Sequence, residues 1–166
     1  SGAGGLSLGA EMAGFEIRYA VEKDKSAAAT YRHNHPNTLV LEDDIHSINP
    51  QNYLLPNEHV SIVFGGPPCQ GFSLSNTMTR NMKNPNNSLF EEFLRFVNEI
   101  QPDWFLFENV EGFAHFEKGK IQYLVEQRFR DMGYEVFPKV LWASDYGVPQ
   151  HRNRFFMVGN RLGINF

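Results

Sequence analysis

Strand-like and helix-like patterns of apolar residues alternate along the chain, with Gly or Pro between them. Apolar and polar residues alternate in FEIRYAV (15–21), whereas VSIVF (60–64) is almost continuously apolar, as in a strand buried on both faces. Further strand patterns are TLVL, DWFLF, YEVFPKVLWA and RFFMVGN. Strands that alternate with helices predict an α/β fold with a mostly parallel sheet and helices on both faces.

Helix patterns separate these strands. The clearest spans residues 88–100, where Ser88 and Glu91 form a capping box and apolar residues recur on one face until Pro102. Asp24 is placed to cap another helix. The remaining helix segments are LSLGAEMAG, KSAAATYRHNH and IQYLVEQRFRDM.

Composition limits the class of protein. The chain has 166 residues, of which 42% are hydrophobic, enough for one ordinary core, and no shift in composition marks a second domain. A single cysteine excludes an internal disulfide. No secretion segment opens the chain, and no apolar run approaches the roughly 20 residues that cross a bilayer. We therefore expect an intracellular protein without a membrane partner, cytoplasmic if its source is bacterial.

The net charge of −4 provides no overall attraction to nucleic acid. The charges are unevenly distributed, because residues 73–88 carry Arg80 and Lys83 but no acid. This segment therefore remains a candidate for local contact with phosphate groups.

Four polar side chains follow separate predicted strands: Glu22, Asp44, Cys69 and Glu108. Open α/β sheets bind ligands in the crevice outside the carboxyl ends of their strands. The pattern therefore predicts that these four groups converge on one edge of the sheet.

The glycines at the amino end, Gly2, Gly4 and Gly5, permit a tight turn and close approach of a ligand to the backbone. The helix that follows offers free N–H groups to an anion. The segment lacks the third glycine of the dinucleotide pattern, so it is also compatible with a plain turn. Glu22 is placed to accept hydrogen bonds from ribose hydroxyls; the alternative is a solvated carboxylate.

Asp44 is a candidate acceptor for an adenine amine, with Ile45 against the ring. The alternative is a helix cap, and Asp43 competes for either role. His33 and His35 lie near these acids in sequence, but side chains two apart on a helix diverge, so we expect no metal site.

Cys69 lies in GGPPCQGFS (65–73), between two prolines and a glycine. A lone cysteine is usually a small buried apolar residue. The rigid turn that these neighbours impose instead predicts a thiol at a loop tip, where it can be activated as thiolate.

Glu108 follows an apolar strand, so we expect it to be partly desolvated and suited to give a proton; the alternative is a strand-end cap. Asn109 is placed to bond nearby backbone and hold that acid still. Arg152 and Arg154 lie two apart in an extended segment and share a side, where two guanidiniums can hold phosphate, a carboxylate or a base carbonyl. Alternatively, they are surface arginines at a sheet edge.

The segments SGAGGLSLG, GGPPCQGFS, ENV and QHRNR occur in the order typical of the cytosine-5 DNA methyltransferases, and the whole chain resembles their catalytic domain. The resemblance implies the Rossmann-like class I methyltransferase fold, with a mostly parallel sheet of up to seven strands whose last strand is antiparallel. It implies S-adenosylmethionine as cofactor, with S-adenosylhomocysteine as product. The implied cofactor residues are Gly2, Gly4, Gly5, Glu22, Asp44, Ile45, Pro68 and Leu89.

The resemblance also implies a mechanism. Cys69 adds to carbon 6 of a flipped-out cytosine, and Glu108 assists at ring nitrogen 3. Arg154 contacts the carbonyl oxygen and positions Glu108, with Arg152 as its helper near the thiol or the backbone phosphates. Implied contacts with the target base or duplex DNA come from Gln70, Ser73, Arg80, Lys83, Asn109 and Gln150.

The family pattern normally extends beyond these residues. We expect residues 1–166 to be a truncated catalytic, cofactor-binding domain without its target-recognition region. The compact spacing of the motifs favours a bacterial restriction-modification system, with a cognate restriction endonuclease as a partner. The alternatives are an RNA (tRNA) cytosine-5 methyltransferase, which the residues after Cys69 disfavour, and a non-catalytic regulatory homologue.

Overall fold

The structure is a computed structural model that describes residues 1–68 and 88–165. It divides into two compact units, Ser1–Asn49 and Pro50–Phe166.

The first unit contains two helices and two short parallel strands. Its core is formed by Ala20, Ala28, Tyr31 and Val40. The predicted cap of the second helix is confirmed, because the Asp24 carboxylate accepts a hydrogen bond of 2.8 Å from the Ala27 N–H. The elements are α1 (Gly5–Met12), β1 (Tyr19–Val21), α2 (Lys25–Asn34) and β2 (Leu39–Leu41), followed by a 3-10 turn at Ile45–Ser47.

The second unit is a four-stranded sheet in the order β3-β4-β6-β5. Strands β3 and β4 are parallel, whereas β6 runs antiparallel to both of its neighbours, as predicted for the last strand. The elements are β3 (Ile62–Gly65), α3 (Ser88–Ile100), β4 (Trp104–Val110), α4 (Gly112–His115), α5 (Lys120–Asp131), β5 (Glu135–Trp142) and β6 (Asn153–Asn160).

Aromatic side chains dominate the core of the second unit. The Phe105 and Phe129 rings stack with centroids 3.9 Å apart, and both side chains are fully buried. Gly159 lies directly over Phe105, where a Cβ atom would overlap the ring. The predicted apolar face of α3 is confirmed, because Phe90, Phe93, Leu94 and Val97 are all buried in this core.

The predicted α/β class is confirmed, but three details differ. The described strands form two sheets, of two and four strands, rather than one. Strand β4 does not end before Glu108, because pairing with β6 continues through Glu108–Phe156 to Val110–Arg154. Asp44 does not directly follow β2, which ends at Leu41.

Candidate active site

Glu108 and Arg154 form an ion pair on neighbouring strands of the second unit. The Arg154 Nε and Glu108 Oε1 atoms are 3.0 Å apart, and the two side chains are 25% and 28% exposed. The guanidinium also donates a hydrogen bond of 2.8 Å to the Asn153 carbonyl. The β4–β6 register brings the two residues together, and the acid is partly desolvated, as predicted.

Gly66 provides the space that the Glu108 carboxylate occupies. A Cβ atom at Gly66 would lie 2.6 Å from Glu108 Oε2, closer than real contacts allow. The absence of a side chain at this position therefore lets the acid pack against the backbone that precedes Cys69. Sequence analysis did not single out Gly66; its place in GGPP, directly after a buried strand, was the available signal.

Asn109 connects β4 to the same backbone segment. Its Nδ2 atom donates a hydrogen bond of 3.0 Å to the Pro67 carbonyl, and its Oδ1 atom accepts one of 2.9 Å from the Val110 N–H. The residue is buried at 5% exposure. Asn109 therefore bonds nearby backbone, as predicted. A direct contact of Asn109 with DNA stays a prediction.

An open groove of about 530 Å³ lies at the end of this sheet. Three of the predicted residues line it: Gln150, Arg152 and Arg154. Sequence analysis missed Trp142, which is 47% exposed, although an aromatic residue at the end of a strand pattern was the available signal. The other lining residues are Val110, Glu111, Gly112, His151 and Asn153, of which Asn153 donates a hydrogen bond of 3.0 Å to Glu111.

Several predicted residues lie outside the described part of the chain: Cys69, Gln70, Ser73, Arg80 and Lys83. Of the two predicted cofactor residues that flank this gap, Pro68 is exposed and Leu89 is half-buried. Their roles stay predictions.

The glycine-rich turn belongs to the first unit. Gly2 and Gly4 have φ angles of +61° and +94°, which favour glycine. Among residues 1–68 and 88–165, no side chain or distant backbone atom lies within 4 Å of the position of a Cβ atom at Gly2 or Gly5, so both face open space there. At Gly4, in contrast, a Cβ atom would overlap the His35 ring.

The Glu22 carboxylate directly follows β1, as predicted, and accepts hydrogen bonds from the N–H groups of Gly2 (2.6 Å) and Asp24 (3.0 Å). Partial burial raises the pKa of Glu22, and the hydrogen bonds from the Asp24 and Gly2 N–H groups lower it. The acid therefore joins the glycine-rich turn to the end of β1 and is ionised.

Asp44 caps the short 3-10 turn that contains Ile45, so the capping alternative describes its contacts here. Hydrogen bonds from the His46 ring and the His46 N–H lower the pKa of Asp44 to about 2. Asp43 accepts a hydrogen bond of 2.7 Å from the Asp44 N–H. The Asp44 side chain is 43% exposed, which leaves it accessible to a ligand.

Within residues 1–68 and 88–165, no group of three or more His, Cys, Asp or Glu side chains is placed to hold a metal ion. The helices in this part of the chain are all too short or too polar to cross a bilayer.

Comparison with known proteins gives a consistent result. Type II methyltransferase M.DdeI of Desulfomicrobium norvegicum is 43% identical over 162 residues, which cover 96% of this chain and 39% of that protein. M.AquIA of Picosynechococcus sp., another Type II methyltransferase, is 44% identical, and the match covers this chain fully and 71% of the relative. The chain thus spans well under half the length of M.DdeI.

A solved structure, a candidate DNA modification methyltransferase encoded within an E. coli prophage, matches with a TM-score of 0.81 and 36% identity. The match covers 96% of this chain and 44% of that one, and the fold is that of the class I methyltransferases. The model of the C-5 cytosine-specific DNA methylases matches residues 1–165. Because this one model covers nearly every residue, the chain belongs to the C-5 cytosine-specific DNA methylase family.

Proposed function

We propose that the chain is the catalytic region of an enzyme that transfers a methyl group from S-adenosylmethionine to carbon 5 of cytosine in duplex DNA. The observation that carries this proposal is the Glu108–Arg154 ion pair, packed on Gly66 three residues before Cys69. The ion pair thereby holds an acid and a guanidinium next to the backbone segment that leads to Cys69. Membership of the family supports this assignment.

The first unit has groups that fit the cofactor. Open space in front of Gly2 and Gly5 allows a ligand to approach the backbone, and the ionised Glu22 is an acceptor suited to ribose hydroxyls. Asp44 and Ile45 would contact the adenine, and Pro68 and Leu89 would line the same ligand. When bound, S-adenosylmethionine supplies an electrophilic methyl group.

Cytosine needs activation before carbon 5 can accept that group. The Cys69 thiolate would form a bond to carbon 6, while Glu108 gives a proton or a hydrogen bond to ring nitrogen 3, so that electron density moves to carbon 5. Arg154 would donate to the carbonyl oxygen and hold Glu108 in place. After methylation, a base removes the proton from carbon 5 and the bond to Cys69 breaks, which regenerates the thiolate.

A stacked cytosine cannot reach these groups, so the base must leave the duplex. Arg152 and Gln150 in the groove, together with Gln70, Ser73, Arg80 and Lys83, are candidate contacts to the extruded nucleotide or to phosphates. The relatives named as Type II methyltransferases support a bacterial restriction-modification setting, in the cytoplasm, with a restriction endonuclease of matching specificity.

The test is methyl transfer by the full-length protein. Tritium from labelled S-adenosylmethionine should enter duplex DNA, and Cys69→Ser should abolish the transfer because serine is not ionised near neutral pH. DNA that contains 5-fluorocytosine should form a covalent adduct with the wild type and none with the variant. Transfer that the Cys69→Ser substitution leaves intact would refute the mechanism.

The same assay separates the alternatives. Transfer to tRNA in place of DNA would identify the RNA-directed enzyme, and the absence of both transfer and adduct would identify a non-catalytic homologue.

A further inference from the structure

The C-terminal end of α2 contacts the glycine-rich turn. Tyr31 and Asn34 lie three residues apart in α2, and His35 is the C-cap residue that directly follows the helix. Each contacts a different part of the segment 3–7. Asn34 Nδ2 donates to the Ala3 carbonyl (2.8 Å), the Tyr31 and Ser7 hydroxyls share a hydrogen bond (2.5 Å), and His35 Nε2 lies 3.1 Å from the Gly4 carbonyl.

His35 makes a buried contact with the turn itself. It is 3% exposed, and its ring lies between the Gly4 carbonyl and the Glu11 carboxylate, with Nδ1 3.0 Å from Glu11 Oε2. A carbonyl oxygen can only accept, so Nε2 carries a proton and donates it to Gly4. The Tyr31 ring, 4.5 Å away between centroids, packs against the imidazole.

The same ring explains why residue 4 is a glycine. A Cβ atom at Gly4 would overlap His35 and would lie 3.2 Å from the Tyr31 ring. The missing side chain therefore faces α2, whereas Gly2 and Gly5 face open space. Sequence analysis assigned all three glycines to the ligand, and the structure separates Gly4 from the other two.

We propose that His35 is a positioning residue for S-adenosylmethionine binding, acting through its hydrogen bond to the Gly4 carbonyl. This inference rests on the proposed function, in which the glycine-rich turn holds the cofactor. The Gly4 carbonyl also accepts a hydrogen bond of 2.8 Å from the Leu8 N–H, so the His35 bond is a second restraint on the peptide that joins Gly4 to Gly5. It thereby helps to set the direction of the Gly5 N–H at the start of α1. His35 does not itself touch the ligand.

The test compares two isosteric substitutions in the full-length protein. The side-chain amide of His35→Gln reaches as far as Nε2 and can keep the donor to Gly4, whereas that of His35→Asn reaches only as far as Nδ1 and loses it. Isothermal titration should show about tenfold weaker S-adenosylmethionine binding for His35→Asn and His35→Ala, and a change of no more than about twofold for His35→Gln. The KM for S-adenosylmethionine should follow the dissociation constant, while kcat and the KM for DNA stay close to wild type.

His33→Gln is the matched control, because His33 is an exposed histidine on the same helix. Thermal unfolding shows whether each variant is folded. If His35→Ala fails to fold, the difference in affinity between His35→Gln and His35→Asn tests the inference. Equal affinities for His35→Gln and His35→Asn would overturn the inference while the proposed function stands. Failure of the wild type to bind S-adenosylmethionine would overturn both.

Discussion

At the scale of single residues, the position of Glu108 depends on what surrounds it. Arg154 contacts one carboxylate oxygen at 3.0 Å, and the other lies against Gly66. A carboxyl group that is only partly exposed is stabilised by a polar partner such as this guanidinium. The absence of a side chain at Gly66 therefore leaves the space that this carboxylate occupies, although Gly66 carries no reactive group.

Gly66→Ala should displace the Glu108 carboxylate, because the new Cβ atom would lie 2.6 Å from Oε2. We expect methyl transfer to fall about 10- to 100-fold, since small misplacements of a catalytic group are costly. Single-turnover transfer to DNA measures the effect. Gly9→Ala is the control, because its Cβ atom would meet nothing within 4 Å in the described part of the chain.

A double-mutant cycle with Glu108→Gln tests the cause of that loss. If Gly66→Ala acts through Glu108, the two substitutions should be strongly non-additive. Full additivity would show that the alanine acts elsewhere.

At the scale of elements, strand β4 links two parts of the site. Successive residues of a strand point to opposite faces, so Glu108 reaches Arg154 while Asn109 reaches the Pro67 carbonyl on the other side. The strand thus positions the acid and also holds the backbone that leads to Cys69.

Asn109→Ala should leave the partly buried Pro67 carbonyl without the hydrogen bond that it accepts at 3.0 Å. We expect a loss of about 1–3 kcal/mol in the free energy of unfolding, the usual cost of such an unpaired group. The rate of adduct formation with 5-fluorocytosine DNA should fall. The affinity for S-adenosylmethionine, measured by titration, should change by no more than about twofold, which is small because a tenfold change corresponds to about 1.4 kcal/mol. A variant that lost both properties equally would indicate general unfolding.

At the scale of the whole molecule, the aromatic core of the second unit supports the sheet that carries Glu108 and Arg154. Tyr134 follows α5 and donates a hydrogen bond of 2.7 Å from its hydroxyl to the Pro102 carbonyl, which lies between α3 and β4. Burial raises the pKa of Tyr134 from 10 to about 12, against the opposing effect of Arg161. The neutral hydroxyl is therefore the form that stabilises the fold.

Tyr134→Phe should lower the free energy of unfolding by about 1 kcal/mol, the typical value of one hydrogen bond. Because the folded-state pKa lies above the unfolded one, this contribution is complete below pH 10 and is lost as the pH rises toward 12. Denaturant unfolding of both proteins across this range measures the difference. Tyr123→Phe, at a site 61% exposed, is the control and should match wild type throughout.

Part of this protein was predictable from the order of its residues. The alternation of strands and helices, the Asp24 cap, the buried face of α3 and the antiparallel last strand are confirmed, because local periodicity and capping act over a few residues. Glu22 directly after β1, and Arg154 as the partner of Glu108, were predicted as well.

The other features came from packing in three dimensions, because they depend on residues that are distant along the chain. The extension of β4 through Glu108 required its pairing with β6, and the fit of Glu108 against Gly66 required two strands to pair. The assignment of Gly4 to His35 required α2 to pack behind the glycine-rich turn. The order of residues therefore indicated the candidates for the chemistry, and the packing of separate elements decided which of these candidates touch.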